Sequence, residues 1–397
     1  MELLNNVTGI DGLMARSCLD PSTPPPHGDT AWHNSTSMPG WTWKGTTSSD
    51  EVVGHTFAFS TINAAARAAA GSSPDRQMPS NVLRRSNELL RNIAVYIVTN
   101  NFTLKDWNGE PTHWGHWDPA HINENRSWSD NRGVSSLEAA ALLVNAYDAA
   151  MELNDTTAAS IIMGGWKKLF TPASSGGAGY GSNLLNVKIE APCDDNFSDD
   201  ELTFLPYYAY FGAASLEAMS SALPHDAGIE SSPAATALSG LRRTWNFVAP
   251  THPDLWAAVF ASVALDGTCT ARASQGDRPQ PGGGCFVPPS GVDQAELDSI
   301  AAGANGNLRA WPLDSVQWPV QNSDRWDVWL DPEENRDGRA STEAMEVLPA
   351  NERCQGRWNA NPHDLDGCNG MVEMDSGVYL APYWLGRAHG LIGNEVN

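Results

Sequence analysis

No stretch of this 397-residue chain approaches the ~18 consecutive apolar residues that a membrane span needs. Positive charge is scarce as well: 24 Lys and Arg stand against 47 Asp and Glu, a net charge of −23. That balance argues against nucleic acid or an anionic membrane as partner, because approach to phosphates costs repulsion instead of releasing counterions. The six cysteines are too few for a disulfide scaffold at this length. No C-x-x-C zinc pattern and no G-x-S-x-G elbow occurs. The glycine-rich run SSGGAGYGSN, 174–183, lacks a Lys-Ser/Thr ending and follows a helical pattern, so it fails as a phosphate loop. The opening MELLNNVTG has neither the basic start nor the apolar run of a signal peptide, so secretion implies a leader already removed.

The cysteines that are present have an informative spacing. Cys269 and Cys285 bracket one Gly/Pro-rich loop and Cys354 and Cys368 another, which predicts two loop staples and leaves Cys18 and Cys193 for a long-range bridge. Disulfides imply an oxidising compartment. The glycosylation pattern N-x-[ST] at Asn6, Asn34, Asn101, Asn125, Asn154 and Asn196 points the same way. The expected location is secreted or extracytoplasmic.

Strand-like alternation is almost absent. Helical patterns follow one another over 49–70, 80–99, 135–152, 155–169, 199–222, 232–247, 252–264, 292–303 and 376–391. Long loops rich in Trp, Gly, Pro and Asp lie between them, and long loops in a compact protein usually carry function. With no clear linker, the chain reads as one all-α domain over 1–397, opened by an irregular segment, 1–42. Three S-x-x-E signatures suggest capped helix starts: Ser48/Glu51, Ser135/Glu138 and Ser198/Glu201. Two of them carry surplus acids, Asp50 in the first and Asp199 and Asp200 in the third. A cap needs only one acceptor and one glutamate, so the extra carboxylates are candidates for chemistry.

The strings TSSDEVVGHTFAF, PTHWGHWDP, SDNRGVSSLEAAALL, NFSDDELTFLPYY, NSDRWDVW and APYWLGR resemble, in that order, a largely uncharacterised family of bacterial and eukaryotic proteins. That family looks related to the six-hairpin glycosidases. The resemblance covers about residues 43 to 391 and departs from the family pattern at Thr46 and Asp324. It implies an (α/α)6 toroid with long loops at one mouth and an activity on carbohydrate, and it carries over no catalytic residue.

Glycoside hydrolysis needs one carboxyl group kept protonated and a second kept ionised, about 5 Å or 6.5–9.5 Å apart. Asp50, Glu51, Asp200 and Glu201 are the expected catalytic acids, with His55 one helical turn beyond Glu51. Sixteen tryptophans offer flat apolar faces for sugar rings. In HWGHWD, Trp114 and Trp117 are the expected platforms, with His113 and His116 beside them. His113, His116 and Asp118 could also bind a metal with a ligand from elsewhere, but histidines among loop tryptophans are more often cleft or packing residues, so no metal and no cofactor is expected. Arg325 and Tyr208 complete the substrate-binding set.

Three functions remain open on these residues: a glycoside hydrolase, a polysaccharide lyase using a His or Tyr base with Arg neutralising a uronate, and a non-catalytic sugar- or protein-binding module. The expected partner is an oligo- or polysaccharide. The oligomeric state is open.

Overall fold

The computed structural model describes residues 1–72, 77–129, 131–171, 179–188, 197–223, 232–251, 254–266, 294–309, 347–348, 361–363 and 377–392. These residues are mostly helical, with a few short strands. Among them no helix is long and apolar enough to cross a membrane. They divide into two compact units that interleave along the chain, one holding Met1–Val187 and Leu205–Gly240, the other Lys188–Phe204 and the residues described from Leu241 onward.

The first unit opens with α1, Glu2–Asn6. A small antiparallel sheet comes after it, so the irregular opening has regular structure of its own. Its strands are β1 (Ser17–Leu19), β2 (Trp32–Asn34) and β3 (Thr42–Lys44), in the order β1-β3-β2, with Cys18 and His33 both opposite Trp43. Two long helices come next, α2 (Ser49–Ser72) and α3 (Gln77–Thr99). On α3 the buried residues Ser86, Asn87, Leu89, Leu90, Ile93, Ala94 and Ile97 recur at helical spacing, so one stripe faces the core.

A hairpin, β4 (Thr103–Lys105) and β5 (Pro111–His116), leads through a π-helical turn at Ala120–Glu124 and a 3-10 turn at Arg126–Trp128 to α4, Arg132–Glu152. Every residue of α4 from Gly133 to Ala146 is buried, the mark of a helix enclosed on all sides. It touches α2, α3, α5 (Thr156–Phe170) and α6 (Gly179–Asn183). Gly133 has no room for a side chain, because a Cβ there would strike the backbone at Asn186 and Val187. α5 begins where Asp155 Oδ1 accepts the Ala158 N–H at 3.0 Å.

Two sequence expectations change here. α4 starts at Arg132, one turn before the expected start, so Ser135 and Glu138 lie inside the helix and form no capping box. The pattern 199–222 is two helices, α7 (Ser198–Phe211) and α8 (Leu216–Ser221), interrupted after Phe211, and Asp148 Oδ2 accepts the Ala214 N–H at 2.7 Å in that break.

α9, Pro233–Val248, runs from one unit into the other. In the second unit α10 (Asp254–Asp266) packs against the helices Gln294–Arg309 and Gly377–Ala388. Trp245 stacks on Phe260 at 4.9 Å, and Phe204 on Trp256 at 5.4 Å. Cys193, Cys269, Cys285, Cys354, Cys368 and Arg325 lie outside the described residues.

Candidate functional site

The hairpin β4–β5 leads into a group of imidazole, carboxylate and indole side chains in the first unit. Thr103 pairs with His116, and the Trp117 N–H extends the pairing to the Phe102 carbonyl at 2.8 Å. Asn101 and Phe102 take positive φ of 58° and 61° to turn the chain from α3 into β4. Gly115 lies where a Cβ would collide with Leu104 and Thr112, so the two strands meet there without a side chain between them.

Trp117 anchors the segment. It is buried, its Nε1–H donates to Glu138 Oε2 at 2.7 Å, and its carbonyl accepts the Tyr180 hydroxyl at 2.6 Å. Burial and the nearby Asp118 charge push the Tyr180 phenol up, so it stays a donor. With 2% of its surface exposed, Trp117 cannot serve as a sugar platform, which corrects the expectation for it. Its neighbours His116 and Asp118 are half-buried, as alternation along an extended segment predicts.

Asp118 reverses the chain direction. Its Oδ1 accepts the His121 backbone N–H at 3.0 Å and its carbonyl accepts the Ile122 N–H at 3.0 Å, which winds the chain back through the π-helical turn. Arg132 clamps that turn from the start of α4 by donating to the Ile122 carbonyl at 3.0 Å and the Asn123 carbonyl at 3.2 Å. His121 is thereby stacked on His116, ring centres 4.2 Å apart and planes within 9°. His116, Asp118 and His121 each offer a ligand atom, and these atoms lie within 4.8 Å of one another. Burial raises the Asp118 carboxyl, but His116 beside it, the His121 N–H and the charges of both imidazoles hold it lower on balance. Burial and the His116 charge push the His121 imidazole down, against the pull of Asp118.

Aromatic rings continue the cluster outward. Trp128 meets His121 edge-on at 4.6 Å and lies against Trp114 at 5.3 Å, while His113 meets Trp114 edge-on at 4.3 Å. Trp114 is 48% exposed, an indole fixed on one side and open on the other.

The remaining candidates lie elsewhere. At the start of α2 the Ser48 N–H donates to Glu51 Oε2 at 2.7 Å, the glutamate half of a capping box. The Ser48 hydroxyl lies 2.5 Å from Asp50 Oδ2 and 2.7 Å from Glu51 Oε2, and its one hydrogen can serve only one of them at a time. Arg16 Nε stands 3.4 Å from Glu51 Oε1. His55 is buried, with Nδ1 2.8 Å from the Glu51 carbonyl, and burial pushes its imidazole down. Tyr208 meets Phe57 edge-on at 5.5 Å. In the second unit Asp200 is buried in an ion pair with Lys188, and Glu201, next in the chain, is half-buried.

Sequence reasoning did not single out His121, and it read Glu138 as a cap. The signal for His121 was an aspartate three residues earlier, ahead of a proline, a spacing at which a carboxylate can fold the chain back by accepting a backbone N–H. Compared with protein-family models, curated proteins and solved structures, the chain matches none.

Proposed function

We propose that the protein is a secreted or extracytoplasmic carbohydrate-active enzyme, a glycoside hydrolase on an (α/α)6 toroid, with Trp114 as a sugar platform. The observation that carries this reading is the Trp114 indole, half exposed, backed by Trp128 and bordered by His113. A flat apolar face bordered by an imidazole suits the face and edge of a pyranose. The helical character of the chain supports the toroid. Of the acids at the start of α2, Glu51 is engaged by the Ser48 N–H and Asp50 only by the Ser48 hydroxyl, so Asp50 is the carboxyl we assign to proton transfer. A non-catalytic sugar-binding module is the second reading, and the capping role of Glu51 favours it.

The test is a screen of the purified full chain against neutral polysaccharides (β-glucan, xylan, mannan) and uronic ones (pectin, alginate). New reducing ends without ultraviolet absorbance support the hydrolase. An unsaturated, absorbing product selects the lyase, and retention without turnover selects the binding module.

A further inference from the structure

We propose that His116, Asp118 and His121 bind one divalent first-row transition ion of the zinc class. Two imidazoles and one carboxylate are a common donor set for such ions, and three protein ligands leave a position for water or another oxygen. The three ligand atoms already lie within 4.8 Å of one another, and two ligands on a tetrahedral ion with ~2.1 Å bonds sit about 3.4 Å apart. His116 Nδ1 stands 3.8 Å from Asp118 Oδ2, too far for a hydrogen bond but close to the separation a shared ion requires. His121 Nε2 is buried with no hydrogen-bond partner among the described residues, an unusual state for an imidazole nitrogen that an ion would relieve.

The donors are also held in place. Asp118 Oδ1 is fixed by the His121 N–H, which leaves Oδ2 directed at His116. Trp128 supports the His121 ring edge-on. Arg132 fixes the turn that carries His121, and Glu138 fixes Trp117, the residue between His116 and Asp118, by accepting its indole N–H. The two rings lie stacked, so their in-plane lone pairs run nearly parallel, and a shared ion requires a rotation about Cβ–Cγ to turn a nitrogen of each towards it. Metal sites depend on such outer support for ligand orientation.

The site stands whether or not the protein turns over a sugar. Its test uses tag-free full chain, stripped with chelator, dialysed and titrated with zinc chloride against a chromophoric chelator. We expect one equivalent bound with micromolar or tighter affinity, weakened at least about 100-fold in His121→Ala and in His116→Gln. Far-ultraviolet circular dichroism establishes that each variant is folded, and His27→Ala, at an exposed histidine outside the cluster, keeps wild-type affinity. Absence of zinc binding would overturn the proposal. So would binding that both folded variants retain in full, since the ion would then lie elsewhere.

Discussion

Trp117 and Glu138 are joined inside the protein: the indole Nε1–H donates to Oε2 at 2.7 Å, and both residues are buried. The link ties the segment carrying His116 and Asp118 to the enclosed helix α4. Trp117→Phe keeps an aromatic ring but takes a donor from a buried carboxylate, a loss of about 1–3 kcal/mol. Glu138→Gln retains an acceptor oxygen and is expected to cost less. Urea unfolding of the two variants checks the order, and equal losses would show that the hydrogen bond contributes little.

The start of α2 separates capping from catalysis. Glu51→Gln is expected to leave stability within about 1 kcal/mol and turnover near wild type, because glutamine also completes a capping box. Asp50→Asn is expected to lower the rate at least about 100-fold with the fold intact, as loss of a proton-transfer group does. Both are assayed on the polysaccharide that the screen identifies. Asp50→Asn at full rate would remove Asp50 from the chemistry.

In the second unit, Lys188 and Asp200 form a buried ion pair. Lys188→Met leaves a carboxylate in a poorly solvated place and is expected to cost about 3–5 kcal/mol. The double variant Lys188→Met/Asp200→Leu is expected to recover a large part of that loss. Chemical denaturation of wild type, single and double variants measures the coupling; a double variant as unstable as the sum of the singles would deny it.

Stability is expected to fall in mild acid. Burial holds the His389 imidazole down to about 4 from an ordinary 6.5, so the unfolded chain takes up the proton first. Stability from this group is complete above about 6.5 and declines as pH falls towards about 4, by up to about 3 kcal/mol. The buried His55 acts in the same direction. Thermal unfolding of wild type and His389→Gln from pH 7 to 4 is the check, and the variant should show the shallower slope.

Helix positions were legible because periodicity and turn residues act locally: the starts of α2 and α7 fall within a residue of the S-x-x-E signals. The same signal misled at Ser135, since Arg132, Gly133 and Val134 already extend the helix and a glutamate inside it can serve a distant indole. Trp114 and Trp117 looked alike in sequence. Their fates differ because the hairpin register, which pairs Thr103 with His116, sends one indole into the core and leaves the other exposed, and register depends on contacts across the hairpin. His121 reaches His116 only through a turn closed by Asp118 and Arg132, a tertiary arrangement that composition does not encode.

The most direct measurement of the central claim is affinity electrophoresis of wild type and Trp114→Ala in gels containing β-glucan, xylan, mannan, pectin or alginate. The account predicts that wild type is retarded by at least one polysaccharide and that Trp114→Ala binds it about 10-fold more weakly while remaining folded. Free migration of wild type in every gel, or full retardation of Trp114→Ala, would contradict it.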